Sequence, residues 1–279
     1  MSTWVLAARR AGLATIVGFG IVLAIAVLAI LAPVLAPVGP LELDVRSRLA
    51  PPSPTHPFGT DNLGRDIFSR VLYGARLSLM IGLSVVLASV ALGLVMGLAA
   101  GASARLDQLL MRVSDGLMAF PGILLAIALM AALGQRLSNI VVALTVLYTP
   151  RVARVVRGIV LSIRELDYVH AARAVGASEG RVFARHILPN SLAPLVVQAT
   201  FVFAESVLLE AALNFLGAGL PPDVPTWGTI IAAGRVYLQS APWITAFPGV
   251  AIMLFVVGLN LLGDGLRDLV DPRTRAMVR

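Results

Sequence analysis

Residues 77–104 read LSLMIGLSVVLASVALGLVMGLAAGASA, a run of 28 residues without a charged side chain between Arg76 and Arg105. About 20 consecutive apolar residues suffice for a helix to cross the ~30 Å hydrocarbon core of a membrane. This run therefore predicts a membrane-spanning helix. The composition of the whole 279-residue chain agrees, because 58% is hydrophobic, only 13% is charged and the mean hydropathy is +0.89.

Five further charge-poor stretches predict five further spans. The uncharged windows are 11–41, 116–135, 137–150 and 236–263, and a fifth stretch, about 190–216, carries two acidic residues. Window 137–150 would form only about 21 Å of helix, so we expect arginines at its ends to reach the membrane interfaces. The expected fold class is all-α, a polytopic membrane protein with six transmembrane helices and irregular, turn-rich outer segments at 38–76 and 217–243.

The basic residues predict the orientation of these spans. All 22 are arginine, and 15 of them lie in the two termini and the loops on the same side as the termini. Cytoplasmic loops carry the excess of positive charge, which predicts cytoplasmic N- and C-termini and a cytoplasmic 151–190 stretch. Arg151, Arg154 and Arg157 share one helix face and are expected to mark the emergence from the membrane.

Several functional classes are excluded by residues that the chain lacks. It has no Cys, which removes disulfides, thiolate metal sites and a Cys nucleophile, and no Lys, which removes the lysine of a P-loop. The three histidines have no metal-ligand spacing, and no G-x-S-x-G motif occurs. We therefore expect no catalytic, cofactor-binding or metal site in this chain and, given the apolar content, no nucleic-acid partner.

One polar segment between two spans, DYVHAARAVGASEGRVFARHILP (167–189), has the pattern of a docking loop. It predicts a helix, a turn at Gly176, a second helix capped by Ser178, and a stop or bend at Pro189 before the next span. The alternative is an ordinary amphipathic loop. The residues expected to make the docking surface are His170, Ala171, Ala172, Gly176, Ala177, Ser178, Arg181, Arg185, Leu188 and Pro189.

Small residues repeat every fourth position along the span 77–104. They are Ser89, Gly93, Gly97 and Gly101. Such a stripe lets two helix backbones approach closely. The neighbour is either another helix of this chain or a helix of a partner subunit.

Two acidic residues, Glu205 and Glu210, lie within the fifth predicted span. Acidic side chains at membrane depth are costly and often functional. A separation of five residues places them on different helix faces, so they are not expected to share one ion site. The open interpretations are hydrogen-bonded packing or lining of a cavity.

Segment 167–189 resembles the cytoplasmic coupling loop of ABC importer permeases, whose pattern is E-A-A-x3-G-x9-I-x-L-P. The matching positions are Ala171, Ala172, Gly176, Leu188 and Pro189. His170 and His186 depart from it, standing where the pattern has Glu and Ile.

Three longer strings extend the resemblance over roughly residues 1–275. They are HPFGTDNLGRDIFSRVLYGARLSL (56–79), LNFLGAGLPPDVPTWG (213–228) and GLNLLGDGLRDLVDPR (258–273). They resemble the dipeptide/oligopeptide/nickel branch of these permeases, and most closely the second of its two paired permease subunits.

The resemblance implies a type I ABC importer permease in the inner membrane of a prokaryote. It implies an anchor helix and outer segment at 1–76 and a core of five helices at 77–279 with a coupling loop at 164–190. The implied partners are a second homologous permease, two cytoplasmic ATPases that bind ATP and Mg²⁺, an extracytoplasmic substrate-binding protein and membrane lipid. The implied substrate is a dipeptide or oligopeptide, with nickel, haem or glutathione as alternatives. A stand-alone secondary transporter using Glu205 and Glu210 is the alternative from another class.

Overall fold

The computed structural model describes residues 12–270, which are almost entirely helical. Within that range there is no β-strand, and one isolated bridge pairs Thr60 with Asp66. The helices are α1 Leu13–Ile30, α2 Ala32–Leu35, α3 Ile67–Ala102, α4 Ala104–Met118, α5 Gly122–Leu133, α6 Leu137–Arg164, α7 Asp167–Ala174, α8 Glu179–Val182, α9 Leu188–Phe215, α10 Trp227–Gly234 and α11 Trp243–Val270. The predicted cytoplasmic termini lie outside the described residues.

Five helical stretches are long and apolar enough to cross a membrane. They are α1, α3, α6, the continuous stretch Glu179–Phe215, and α11 over Trp243–Asp268. A sixth span exists if α4 and α5, which meet at a bend of 92°, count as one broken span. The all-α, polytopic fold class is thereby confirmed.

The third predicted span does not form a continuous helix over 116–135. The chain breaks at Phe120 and Pro121, and α5 has only 12 residues, about 18 Å of helix. The residue before a proline is disfavoured in the α conformation, which accounts for a break at this point. The chain between the second and third predicted spans forms the amphipathic helix α4.

The fourth predicted span is twice as long as the window 137–150. Helix α6 has 28 residues and continues past Pro150 and three arginines to Arg164. The charge-free window ended too early because those arginines are paired with acidic residues of other helices, described below.

The outer segments also differ from the prediction. Residues 67–76 are not loop, because they form the first turns of α3, whose 36 residues cross the predicted boundary at residue 76. The segment 217–243 contains α10, which begins at a capping box between Thr226 and Thr229. Turn-forming glycine and proline around residues 217–225 concealed this helix, which is only eight residues long.

A buried charged cluster orders the segment that precedes α3. The guanidinium Nε of Arg65 donates to Asp61 at 2.6 Å, and Nη1 of Arg70 reaches the same carboxylate oxygen at 3.3 Å. All three side chains are buried. This cluster, together with Asp66, whose carboxylate caps the N-terminus of α3 through the backbone N–H of Ser69 at 2.7 Å, joins the outer segment to the bundle.

Candidate functional site

The first half of the docking loop is α7 followed by a turn at Gly176. The turn is a Schellman motif, in which the N–H of Ala177 donates to the carbonyl of Ala172 at 3.0 Å and the N–H of Gly176 to that of Arg173 at 2.9 Å. Gly176 has a φ of +86°. A side chain at that φ would meet its own backbone, so glycine fixes the angle between α7 and α8.

Ser178 occupies the N-cap position of α8, but its side chain makes no capping hydrogen bond. The predicted side-chain cap is therefore wrong. The backbone carbonyl of Ser178 instead accepts from the N–H groups of Arg181 at 2.9 Å and Val182 at 3.0 Å. The Schellman turn has already set the chain direction, so the helix forms without the hydroxyl.

The loop has one buried and one exposed side. Val169, Val182 and Ile187 are buried in the core, and Ala172 and Ala177 pack partly against it. Val175, at the turn, is 86% exposed. The other exposed residues are Asp167, Tyr168, His170, Ala171, Ala174, Gly176, Ser178, Glu179, Gly180, Arg181, Ala184, Arg185 and Pro189, whereas Leu188 is half-buried. The loop is thus a small knob with an apolar tip at Val175 and with both arginines and acidic residues exposed around it.

An ion pair connects the two helices of the knob. Arg173 Nε donates to Glu179 Oε1 at 2.8 Å. This hydrogen bond from the exposed guanidinium raises the pKa of Arg173 above its ordinary value. The pair supports the turn at Gly176 from outside, although exposed pairs of this kind stabilise only weakly.

Pro189 does not stop the second loop helix, which was the first of its two predicted effects. The chain continues from α8 through a π-helical turn, Phe183–Ile187, directly into α9. A proline inside a helix loses one backbone hydrogen bond and crowds the carbonyl four residues earlier, and the wider π turn relieves this crowding. The knob and the fifth span therefore form one continuous helical stretch, Glu179–Phe215, of 37 residues.

The small-residue stripe lies against α6 of the same chain. A Cβ placed on Gly93 would lie 2.6 Å from Cβ of Val152, and one on Gly97 would lie 2.6 Å from the carbonyl oxygen of Ala153. Ser89 is also fully buried, and Gly101 meets Val160. Helices α3 and α6 therefore pack with their backbones in close approach, as glycine at this spacing permits.

Glu205 is paired with Arg151 of α6. Nη1 of Arg151 donates to Oε2 at 2.6 Å and to Oε1 at 2.8 Å. Both side chains remain half exposed, 47% for Arg151 and 40% for Glu205. The interaction joins α6 to α9 on an open face of the bundle.

Two further ion pairs continue along the same face of α6. Arg154 Nη2 contacts Asp115 Oδ1 at 2.5 Å, and Arg157 Nη2 donates to Asp107 Oδ2 at 2.7 Å. Both aspartates belong to α4. We call the three pairs the ion-pair ladder: Arg151–Glu205, Arg154–Asp115 and Arg157–Asp107.

The sequence predicts only the basic half of the ladder. The spacing i, i+3 and i+6 places the three arginines on one helix face, but their acidic partners lie 54, 39 and 50 residues away. Only the bend between α4 and α5 brings Asp107 and Asp115 back to α6. Sequence periodicity contains no information about that bend.

Glu210 belongs to a separate, fully buried polar cluster. Its Oε1 accepts from Thr226 Oγ1 at 2.7 Å and from Asn214 Nδ2. Asn214 Oδ1 in turn accepts from the N–H of Leu220 at 2.6 Å. The cluster ties the C-terminal end of α9 to α10, which corresponds to packing rather than cavity lining.

Comparison with known proteins agrees with this architecture. The family model described as "binding-protein-dependent transport system inner membrane component" matches residues 89–276. A dipeptide transport system permease protein of Alkalihalophilus pseudofirmus is 46% identical over 262 residues, 94% of this chain and 86% of that protein. A glutathione transport system permease protein of Pectobacterium atrosepticum is 44% identical over 226 residues, 81% of this chain and 75% of that protein.

The fold has a counterpart among solved structures. The inward-facing MetNI methionine ABC transporter superposes with a TM-score of 0.61 at 21% identity, covering 74% of this chain and 98% of that one. The helical bundle, the membrane spans and the sequence matches lead to one conclusion: the chain is a multi-pass membrane protein that belongs to the family of binding-protein-dependent transport system inner-membrane components, the permease subunits of ABC transporters.

Proposed function

We propose that this chain is the non-catalytic permease subunit of an ABC importer that moves dipeptides or oligopeptides across the cytoplasmic membrane. The relative from Alkalihalophilus pseudofirmus, named a dipeptide transport permease, supports this substrate class. ATP and Mg²⁺ would be bound by separate ATPase subunits, because this chain lacks the lysine of a P-loop.

The observation that carries the proposal is the continuous helical connection between the knob and the fifth span. The knob presents Val175 and the basic residues Arg181 and Arg185 to the exterior. An apolar tip surrounded by exposed polar and charged residues suits insertion into a cleft of a soluble partner. Because Glu179–Phe215 is one helical stretch, a displacement of the knob is passed directly to the membrane part of the bundle.

The loop also has room to move. A cavity of about 530 Å³ lies between the knob and α3, with Leu98, Ala102 and Phe183 among its lining residues. Closing this cavity would shift the knob relative to α3 without breaking the Schellman turn. Such rigid-body displacement is the usual basis of alternating access.

The complete transporter in this proposal has a second homologous permease, two ATPases and an extracytoplasmic binding protein. The knob and both termini face the cytoplasm, as the distribution of arginines favours. ATP binding draws the ATPases together, moves the knobs, and converts the cavity between the two permeases from inward-facing to outward-facing.

Glutathione is the second candidate substrate, because the relative from Pectobacterium atrosepticum is named a glutathione permease. Glutathione is itself a peptide with free carboxylates and an ammonium group, so both substrates would suit the same path. A stand-alone secondary transporter has less support. Glu205 contacts Arg151 whereas Glu210 contacts Thr226, and the two acids therefore form no common ion site.

Purification and reconstitution test the proposal together. The tagged chain, isolated in mild detergent from its native host, should carry two ATPase subunits and a second permease. Proteoliposomes of that complex with the binding protein should take up radiolabelled dialanine only with ATP, and unlabelled glutathione should compete if it is also a substrate. ATP-independent uptake by the isolated chain would refute the proposal.

The coupling role of the knob is tested at the Schellman turn. Gly176→Val forces a β-branched residue to a φ of +86°, a conformation that costs an L-residue about 1–2 kcal/mol or more. We expect the turn to open and dipeptide uptake to fall by about tenfold, the factor that corresponds to ~1.4 kcal/mol, while membrane insertion is retained. Gly180→Ala is the matched control, since its Cβ meets nothing within 4 Å. Equal uptake by the two variants would contradict the assignment.

A further inference from the structure

The ion-pair ladder begins at a depth where a membrane helix normally carries no charge. Arg151 is 14 residues from the start of α6, about 21 Å along the helix. Its partner Glu205 is 10 residues from the end of α9, about 15 Å along that helix. The first pair is therefore near the middle of the bundle, and the other two follow toward the knob at about 4.5 Å per step.

The exposure of these charges excludes lipid as their neighbour. Guanidinium and carboxylate groups that face hydrocarbon cost several kcal/mol each, so charges at membrane depth face water or protein. On α3 the exposed positions at this depth include the apolar residues Leu87, Leu92 and Val95. The ladder face, where six charged side chains meet, thus suits a water-filled path through the complex.

The chemistry of the ladder matches a zwitterionic ligand. Each rung holds one guanidinium fork and one carboxylate, and a peptide carries one terminal carboxylate and one terminal ammonium group. Arg157 holds Asp107 through Nε and Nη2 and can exchange that carboxylate for the carboxylate of the peptide in the same bidentate geometry. Arg151 and Arg154 each contact their acid through one nitrogen and would bind the peptide carboxylate there. The displaced acid is then free to accept hydrogen bonds from the ammonium group.

Three similar rungs in succession also suit passage better than one tight site. Conduction requires sites that bind well enough to admit the ligand and weakly enough to release it. Each rung offers a guanidinium group that can exchange its carboxylate, so a peptide can step from Arg151 to Arg157 without passing through uncharged surroundings. The first two rungs are at least 40% exposed, whereas Arg157 and Asp107 are 32% and 23% exposed.

We propose that the ladder face lines the translocation path and that its rungs bind the charged termini of zwitterionic peptides in turn. This inference rests on the proposed function, and it assigns the path to named residues of this chain. Side-chain identity of the peptide plays no part in it. Peptides of different sequence but free termini should therefore use the path equally well.

Thiol labelling tests the water-filled path directly, because the chain has no native cysteine. Leu208 is 53% exposed and lies one turn from Glu205 on the same face of α9, whereas Val95 is 66% exposed on a face of α3 turned away from α6. In the assembled complex, Leu208→Cys should react with a charged methanethiosulfonate and be protected by dialanine. Val95→Cys should stay unmodified, with modification read from the mass of this chain.

Transport tests the binding role of the first rung. Arg151→Gln removes one charge-assisted hydrogen bond to the peptide, and we expect dialanine uptake to fall about tenfold or more. ATPase activity and co-purification of the partner subunits should persist. Arg105→Gln, an exposed arginine of α4 outside the ladder, should transport as the wild type does.

The outcomes separate the path from an interface. If Leu208→Cys does not react in a complex that otherwise behaves like the wild type, the proposal is overturned. It is also overturned if Arg151→Gln loses the second permease and Leu208→Cys is shielded from the reagent, because the ladder face would then be a subunit contact. Should Arg151→Gln fail to assemble, the Leu208→Cys labelling still decides. A complex that takes up no peptide but labels Leu208→Cys would refute the proposed substrate while supporting an aqueous path.

Discussion

Replacing Gly97 by alanine tests how closely α3 and α6 approach. The new Cβ would lie 2.6 Å from the carbonyl oxygen of Ala153 and 2.6 Å from Cβ of Val156, where ordinary contact begins at 3.4 Å. The helices must therefore separate by several tenths of an ångström. Overpacking of this kind typically costs 1–3 kcal/mol, and the better helix propensity of alanine returns up to about 1 kcal/mol.

We expect a net loss of about 1–2 kcal/mol, which lowers the melting temperature of a bundle this size by roughly 3–6 °C. The assay is intrinsic tryptophan fluorescence of the purified complex during heating, at one fixed scan rate because such unfolding is often irreversible. Gly158→Ala on α6 is the control, since its Cβ meets nothing within 4 Å and should be neutral or stabilising. The argument is refuted if Gly97→Ala melts at or above the temperature of Gly158→Ala.

Two further predictions concern the segment before α3. Asp61→Asn should destabilise the protein by about 3–5 kcal/mol, because the buried guanidinium groups of Arg65 and Arg70 lose their shared carboxylate. Thermal unfolding measures this loss of stability, and a loss below about 1 kcal/mol would contradict the prediction. Gly64→Ala should be destabilising through two effects. An alanine is strained at the φ of +78°, and its Cβ would overlap the carbonyl oxygen of Asp44.

The control for Gly64→Ala separates these two effects. Gly134 also has a positive φ, +91°, but a Cβ there meets nothing within 4 Å. Gly134→Ala should therefore cost only the conformational strain, about 1–2 kcal/mol. Melting temperatures that fall equally in both variants would show that the contact with Asp44 contributes nothing.

Charge-poor stretches predicted the existence of α1, α9 and α11, because apolar runs of this length leave the chain no other way to satisfy its backbone in lipid. Helix α9 begins and ends within two residues of the predicted limits, whereas α1 ends 11 residues before the window 11–41 does and α11 lies seven residues further along the chain than the window 236–263. The same rule failed at α5 and α6. A window of uncharged residues reports length but not direction, so the bend before Pro121 was invisible, and arginines were counted as span ends although α6 continues through them.

In the candidate site, too, the features that depend on neighbouring residues were predictable and those that depend on distant residues were not. Local pattern was sufficient for the knob. Its Schellman turn at Gly176 is closed by hydrogen bonds to the carbonyls of Ala172 and Arg173, which lie at most five residues from the donors along the chain. It was insufficient for Glu205, whose environment depends on Arg151, 54 residues earlier. Side chains whose role depends on a distant partner become interpretable only once the fold has placed that partner.

The connection between the two parts of the site has a mechanical consequence. Glu205 and the second half of the knob belong to one helical stretch, and α6, which carries Arg151, enters the knob from the other side through α7. A displacement of the knob along the membrane normal therefore moves both partners of the first rung together, whereas a rotation about α9 moves Glu205 away from Arg151. Rotation is consequently the motion that would free the rung for a peptide, and an ATPase that only pushed the knob inward would leave the path closed by its own ion pairs.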